Sequence, residues 1–169
     1  MIVIDDNFLN DIQKKYLDNI FTSFTHNFQF VRDGTKEPDG NNHFEHVVLD
    51  DNGFTDSELK YGLVDIFNCF CKKNNIEHKG LFRCAVNLTY NLGNIYRTPS
   101  HLDHTFDHKY FLLYLNDSTG DTVIMDESNE KPLKIISPKK YRGVCWGRNH
   151  HYFYFPTQGG RKVVIYTYI

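Results

Sequence analysis

The sequence predicts a mainly β fold, a jelly roll buttressed on one side by two N-terminal helices. Three observations predict it. Aromatic residues are dense, with 14 Phe and 11 Tyr among 169 residues, and such rings pack well on pleated surfaces. Helical periodicity is confined to two stretches before residue 75, whereas from residue 81 apolar residues alternate. Short turns bearing Gly, Pro, Asn or Asp separate the alternating runs, as between antiparallel strands. The length suits one domain over 1–169, with helical support mainly in 7–75 and the jelly-roll core mainly in 81–169.

In order along the chain, 2–6 (IVIDD) reads as a short strand. Over 7–24, Phe8, Ile12, Leu17, Ile20, Phe21 and Phe24 fall near one helical face. Residues 32–42 (RDGTKEPDGNN) form a charged, turn-rich stretch, read as a solvated connection in preference to a lid over the site. Thr55 and Glu58 stand at capping-box spacing ahead of a second helix, whose buried face carries Leu59, Leu63, Ile66, Phe67 and Phe70. Strands are then expected over 81–91, 109–116, 121–127, 133–137, 141–146, 150–155 and 161–169.

Composition narrows the function classes. The net charge is −2 and no basic stripe forms, so nucleic acid is not an expected partner. Cys69, Cys71, Cys84 and Cys145 form no CxxC pair, which suits reduced, buried thiols. The opening MIVIDDNFL is acidic by position 5 and lacks the basic-then-apolar pattern of a leader. No apolar run approaches the roughly 18 residues of a membrane span. A cytoplasmic protein with no membrane partner is the expectation.

The chemistry concentrates at 101–108, HLDHTFDH. On an extended chain His101 and Asp103 point to the same side and can address one ion. Imidazole plus carboxylate suits a borderline divalent metal, and a site of two histidines and one carboxylate leaves about three positions open on an octahedral ion. His104, Asp107 and His108 read as rim or solvent-facing residues. In the closing strand, Arg161, Val163, Ile165, Thr167 and Ile169 share one face, mostly aliphatic and so inward. An inward arginine needs an anion, and a ligand carboxylate meets its fork with two hydrogen bonds. In the preceding strand His151, Phe153 and Phe155 share one face, and His150, Tyr152 and Tyr154 the other. One of the paired histidines therefore faces the interior that Arg161 faces.

This order (H-x-D, a histidine about 50 residues on, an arginine ten later) resembles the Fe(II)/2-oxoglutarate-dependent dioxygenases, most closely their prolyl 4-hydroxylase-like branch. Supporting matches are 90–96 (YNLGNIY), 110–117 (YFLLYLND), 120–125 (GDTVIM), 138–146 (PKKYRGVCW) and the opening IVIDDNFL. The resemblance implies a double-stranded β-helix with His101, Asp103 and His151 on Fe(II). It assigns Arg161 to the distal carboxylate of 2-oxoglutarate, Tyr114 to the same carboxylate, and Tyr90 to a position near that cosubstrate. His151 is preferred to His150 because it lies five residues before Pro156 and ten before Arg161. Asp121 stands where the family's usual Gly-Gly segment carries a glycine. The implied reaction is hydroxylation of an unactivated C–H with O2 as cosubstrate, release of succinate and CO2, and ascorbate as a stimulant. The implied substrate is a peptide or small molecule, with peptidyl proline foremost. A non-catalytic, cupin-like metal-binding β-barrel is the alternative; it needs no inward arginine. A zinc hydrolase would instead recruit His104 or His108.

Overall fold

The computed structural model describes residues 1–22, 26–33, 40–51, 54, 56–91 and 96–169. Among them the order is β1 (Ile2–Asp5), α1 (Asp11–Asn19), β2 (Gln29–Val31), β3 (His43–Leu49), α2 (Lys60–Lys73) and β4 (Leu81–Tyr90). There follow β5 (Lys109–Tyr114), β6 (Thr122–Met125), β7 (Pro132–Ile136), β8 (Gly143–Trp146), β9 (His151–Phe153) and β10 (Gly160–Tyr168). The strands form a large sheet, β1-β8-β5-β10-β4-β3-β2, and a small one, β7-β6-β9, and every pairing is antiparallel. The two sheets face each other as a jelly roll, the double-stranded β-helix of the sequence reading.

Alternation along the large sheet divides two cores. One face sends Phe111, Leu113, Val164 and Tyr166 outward to meet Leu63, Ile66, Phe67 and Phe70 of α2. Phe70 packs at 4.4 Å from the Phe111 ring and at 5.0 Å, edge-on, from Phe8. The other face sends Tyr110, Leu112, Tyr114, Val144 and Val163 inward against Ile124 and Ile136 of the small sheet. The inward alternation expected of 161–169 holds as far as Thr167. A register shift between Thr167 and Tyr168 then breaks it, leaving Ile169 exposed.

Three elements differ from expectation. Helix α1 starts at Asn10, where the Asn10 side chain accepts the Gln13 N–H and the Gln13 side chain accepts the Asn10 N–H. The helix buries the face of Gln13 and Leu17, with Ile20 beyond it, and so leaves Ile12 outward, 82% exposed; Phe24 lies outside the described residues. The capping box expected ahead of α2 rests on Thr55, also outside them. At that helix Ser57 Oγ accepts the Leu59 N–H instead, at 3.2 Å. Segment 7–75, expected to be helical support, also supplies β2 and β3, and β3 extends the large sheet beyond β4. The 32–42 stretch, weighed as a connection or a lid, lies largely outside the described residues.

Candidate metal and cosubstrate site

Strand β9 solves the problem of distance in sequence. His101 and His151 exchange two backbone hydrogen bonds of 3.0 Å, and Arg97 bridges Tyr154, so segment 97–101 runs beside β9. Residues paired in this way project their side chains to one side. The His101 and His151 rings accordingly lie 4.6 Å apart, facing the space between the sheets. Asp103 follows two residues after His101. Its backbone N–H is held by the Tyr110 hydroxyl at 3.1 Å, and its Oδ1 lies 3.5 Å from His101 Nε2 and 3.7 Å from His151 Nε2. Ligand atoms of all three residues lie within 4.8 Å of one another.

The donor set fits a divalent cation. His101 Nδ1 lies 2.9 Å from the Pro99 carbonyl, which can only accept, so Nδ1 carries the proton and Nε2 turns its lone pair toward Asp103. Burial, with help from His101, pushes the His151 pKa down to about 4 against the pull of Asp103, so this ring is neutral near pH 7. Burial alone would raise the Asp103 pKa, but His101, His151 and Arg83 outweigh it and hold the carboxyl well below the usual range. Three electron-rich atoms thus converge where only a cation balances them. Two ligands each about 2.1 Å from one ion lie no more than about 4.2 Å apart, and both histidine–carboxylate separations meet that limit. Tyr110 and Trp146 stack at 4.9 Å and present ring edges or faces to His151 at 4.7 and 5.5 Å, fixing its orientation. His150 is not in the triad.

The triad opens into a cavity of about 790 Å³ between the sheets, with Arg161 among its lining residues. Arg161 is 3% exposed. Its Nε donates to the Gly120 carbonyl at 3.0 Å and an Nη to Thr122 Oγ1 at 2.8 Å. Its guanidinium lies 4.5 Å over the Phe153 ring and 5.5 Å from that of Tyr114. All these partners are neutral, and among the described residues Arg161 forms no ion pair. A guanidinium so placed is suited to a carboxylate arriving from the cavity.

Gly120 has no room for a side chain, since a Cβ there would stand 2.6 Å from the Tyr154 carbonyl and 2.9 Å from Arg161 Cδ. Thr122 Oγ1 accepts from both Arg161 and the Tyr114 hydroxyl, the latter at 2.7 Å. With both lone pairs used, its own proton remains to donate.

The remaining sequence-based assignments fall as follows. Tyr114 is fully buried behind Thr122 and does not line the cavity; it touches the site through that threonine and the guanidinium. Tyr90 sits on the opposite face of β4 from Thr89, packed beside Gly160 and 38% exposed, because alternate residues of a strand face opposite ways. His104 lines the mouth and hydrogen bonds Thr167 Oγ1 at 3.0 Å. His108, read as a rim or solvent-facing residue, is 2% exposed, with Nδ1 donating to the Phe106 carbonyl at 2.7 Å. Sequence reasoning missed Thr122, Tyr110 and the β3–β4 wall of His43, Glu45, Arg83, Asn87 and Thr89, all lining the cavity. The alternation of 81–90 could have found the last three, since Arg83, Asn87 and Thr89 are in phase.

No protein-family model and no curated protein matches the sequence. Solved structures do match. An oxidoreductase of the 2OG-Fe(II) oxygenase family from Burkholderia pseudomallei superposes with a TM-score of 0.76 at 13% identity, covering 99% of this chain and 84% of that one. The fold is that of the 2OG-Fe(II) oxygenases. A prolyl hydroxylase from Trichoplax adhaerens, solved with a hypoxia inducible factor peptide fragment, matches at TM-score 0.69 and 14% identity, covering 99% and 83%. The non-heme, α-ketoglutarate-dependent epimerase SnoN of nogalamycin biosynthesis matches at 0.67 and 14%, covering 99% and 78%. Proteins described as a hydroxylase and as an epimerase thus share this fold, which leaves the reaction to be argued from the site.

Proposed function

We propose that the chain is an Fe(II)- and 2-oxoglutarate-dependent dioxygenase that hydroxylates an unactivated C–H bond of its substrate. The observation that carries this reading is Arg161: a buried guanidinium whose hydrogen-bond partners are neutral, lining the same cavity as a two-histidine, one-carboxylate triad. A cupin-like metal-binding barrel has no use for that charge. His101 Nε2, Asp103 and His151 Nε2 would hold the iron, and Arg161 with Thr122 the far carboxylate of 2-oxoglutarate. When bound, Fe(II), 2-oxoglutarate and O2 supply a coupled oxidation in which R–H, O2 and 2-oxoglutarate become R–OH, succinate and CO2.

The chain's own residues have four tasks in this scheme. The two imidazoles and the carboxylate present lone pairs to one point and leave the remaining metal positions to the cosubstrates. Arg161 fixes the distance and direction of the dicarboxylate, with Thr122 adding a hydrogen bond. Tyr114 acts on the site indirectly, locking Thr122 Oγ1 at 2.7 Å. Leu112, Phe153, Ile165 and Trp146 line the cavity with apolar surface and keep bulk water from the reacting centre.

Succinate formation from 2-oxoglutarate, with Fe(II) and O2, tests the reading. The screen covers prolyl peptides, which the resemblance suggests, free amino acids and basic peptides. Iron-dependent succinate that rises with one substrate class supports it. Absence of iron-dependent turnover across the screen, together with absence of 2-oxoglutarate binding, contradicts it.

A further inference from the structure

Beyond the triad and Arg161, the cavity has a third polar region that the reaction scheme leaves unused. It lies on β3 and the adjoining face of β4, the side on which the large sheet extends past the jelly-roll core. There His43 pairs with Thr89 and Glu45 with Asn87 across the sheet, and Asp51 follows just beyond the strand. All five line the cavity together with Arg83.

His43 is built as a ligand-binding histidine. It is 6% exposed, and its Nδ1 lies 3.0 Å from the Asn41 carbonyl. A carbonyl only accepts, so Nδ1 is protonated and Nε2 bears the lone pair. His101 is clamped in the same way, by the carbonyl two residues before it. Among the described residues no group hydrogen bonds His43 Nε2. The ring lines the cavity, and its fixed tautomer leaves Nε2 as an acceptor for a donor arriving there.

The charges beside it have the same polarity. Glu45 and Arg83 form a close ion pair, and Asp51 Oδ1 stands 3.8 Å from Arg83 Nε, so two carboxylates share one guanidinium. The Asp51 side chain is 57% exposed, leaving most of its accepting capacity unused. The Asn87 side-chain carbonyl is buried without a partner. The other cations that line the cavity are engaged: Arg148 donates to the Thr105 and Phe106 carbonyls, and Arg161 is reserved for the cosubstrate. A carboxylate substrate would meet a guanidinium that is already neutralised, beside a surplus carboxylate. A prolyl ring would leave the His43 acceptor unmet.

We propose that the substrate carries a cationic nitrogen, an amine or guanidinium as on a lysyl or arginyl side chain, bound along the cavity wall that His43, Glu45 and Asp51 line. The inference rests on the oxygenase reading for what is done to the substrate, but the binding step stands apart from it. A cation at this wall balances the surplus carboxylate and can donate an N–H to His43 Nε2, and the neighbouring methylenes then extend along the cavity toward the triad.

The test is direct binding to the metal-free protein, followed by calorimetry or NMR shift changes. The ligands are Nα-acetyl-lysine amide and Nα-acetyl-arginine amide, against their neutral isosteres, Nε-acetylated lysine and citrulline, and against Nα-acetyl-proline amide. At least one cationic ligand is expected to bind about tenfold or more tightly than its isostere, the scale of one charge-assisted hydrogen bond. Asp51→Asn, at an exposed position that tolerates change, should narrow that ratio, and His43→Gln should weaken the cationic ligand. Equal or tighter binding of the neutral isosteres or the prolyl ligand overturns the proposal, as does absence of binding by both cationic ligands. Iron-dependent 2-oxoglutarate binding, measured on the same preparation, is a separate readout: its loss contradicts the oxygenase reading, whatever the ligand ratios.

Discussion

Replacing Arg161 with methionine isolates the group on which the functional reading depends. Methionine keeps an unbranched stem against Phe153 and removes only the guanidinium fork. A carboxylate held by that fork gains two charge-assisted hydrogen bonds, each worth about 1.5–3 kcal/mol. Their loss is about 3–6 kcal/mol, or roughly 100- to 10,000-fold in Kd. The fold should respond far less. In the free protein the charge is buried and hydrogen bonds only neutral groups, so its removal relieves a desolvation cost while leaving the Gly120 carbonyl and Thr122 with one donor fewer. The opposing effects should leave the melting temperature within about 5 °C of the parent's. Calorimetric titration of 2-oxoglutarate into the Mn(II)-loaded protein reads the affinity, and thermal unfolding reads the fold. A variant that binds 2-oxoglutarate within threefold of the parent would refute the reasoning, because Arg161 would then not face the ligand.

Other outcomes follow from the same structure. His101→Ala and Asp103→Ala should each lower Mn(II) affinity by about tenfold or more, whereas His150→Ala should leave it unchanged, as read by equilibrium dialysis. Gly120→Ala should weaken 2-oxoglutarate binding, because the new methyl group meets the Tyr154 carbonyl and Arg161 Cδ at under 3 Å; unchanged affinity would show that the turn gives way freely. Asp6 is held by Arg142 at 2.7 and 3.0 Å and by Lys139 at 2.8 Å, tying the end of β1 to the turn before β8. Arg142 is the main cause that lowers its pKa from 3.8 to about 2. Its carboxylate therefore stabilises the fold above about pH 4, and that contribution is lost as pH falls toward about 2. Discounted for partial exposure, Asp6→Asn should cost about 1–2 kcal/mol at pH 7 and only a small part of that near pH 2, by urea unfolding at both pH values.

Arg161 was legible because it lies on a strand, β10, where a period of two leaves little freedom. Arg161 and Ile165 could be placed on one face from spacing alone, whereas His101 and Asp103 lie outside the regular strands and are joined by their chemistry and their spacing of two. Pairing of 97–101 with β9 was not legible, since two bridges outside a regular ladder carry no apolar signature. Strand β3 was missed for a related reason: 43-HFEHVVL-49 mixes polar and apolar residues on both faces, because one face lines a polar cavity. Motif position alone did not give the face of Tyr90, which strand phase sets beside Leu88, away from Thr89. The helix start at Asn10 escaped notice because an Asn/Gln pair supplied the cap. The burial of His108, read as a rim or solvent-facing residue, was not legible either: its ring packs edge-on against Tyr110 at 4.7 Å.

In the proposed function one ion and one dicarboxylate share the space between His101, Asp103, His151 and Arg161. An anomalous-difference map from crystals grown without O2 in Mn(II) and 2-oxoglutarate tests it most directly. The account predicts a single strong peak among His101 Nε2, Asp103 and His151 Nε2, with ligand density reaching from that ion to Arg161. A peak on His104, His108 or His150, or a metal in the triad with the ligand carboxylate away from Arg161, would contradict it.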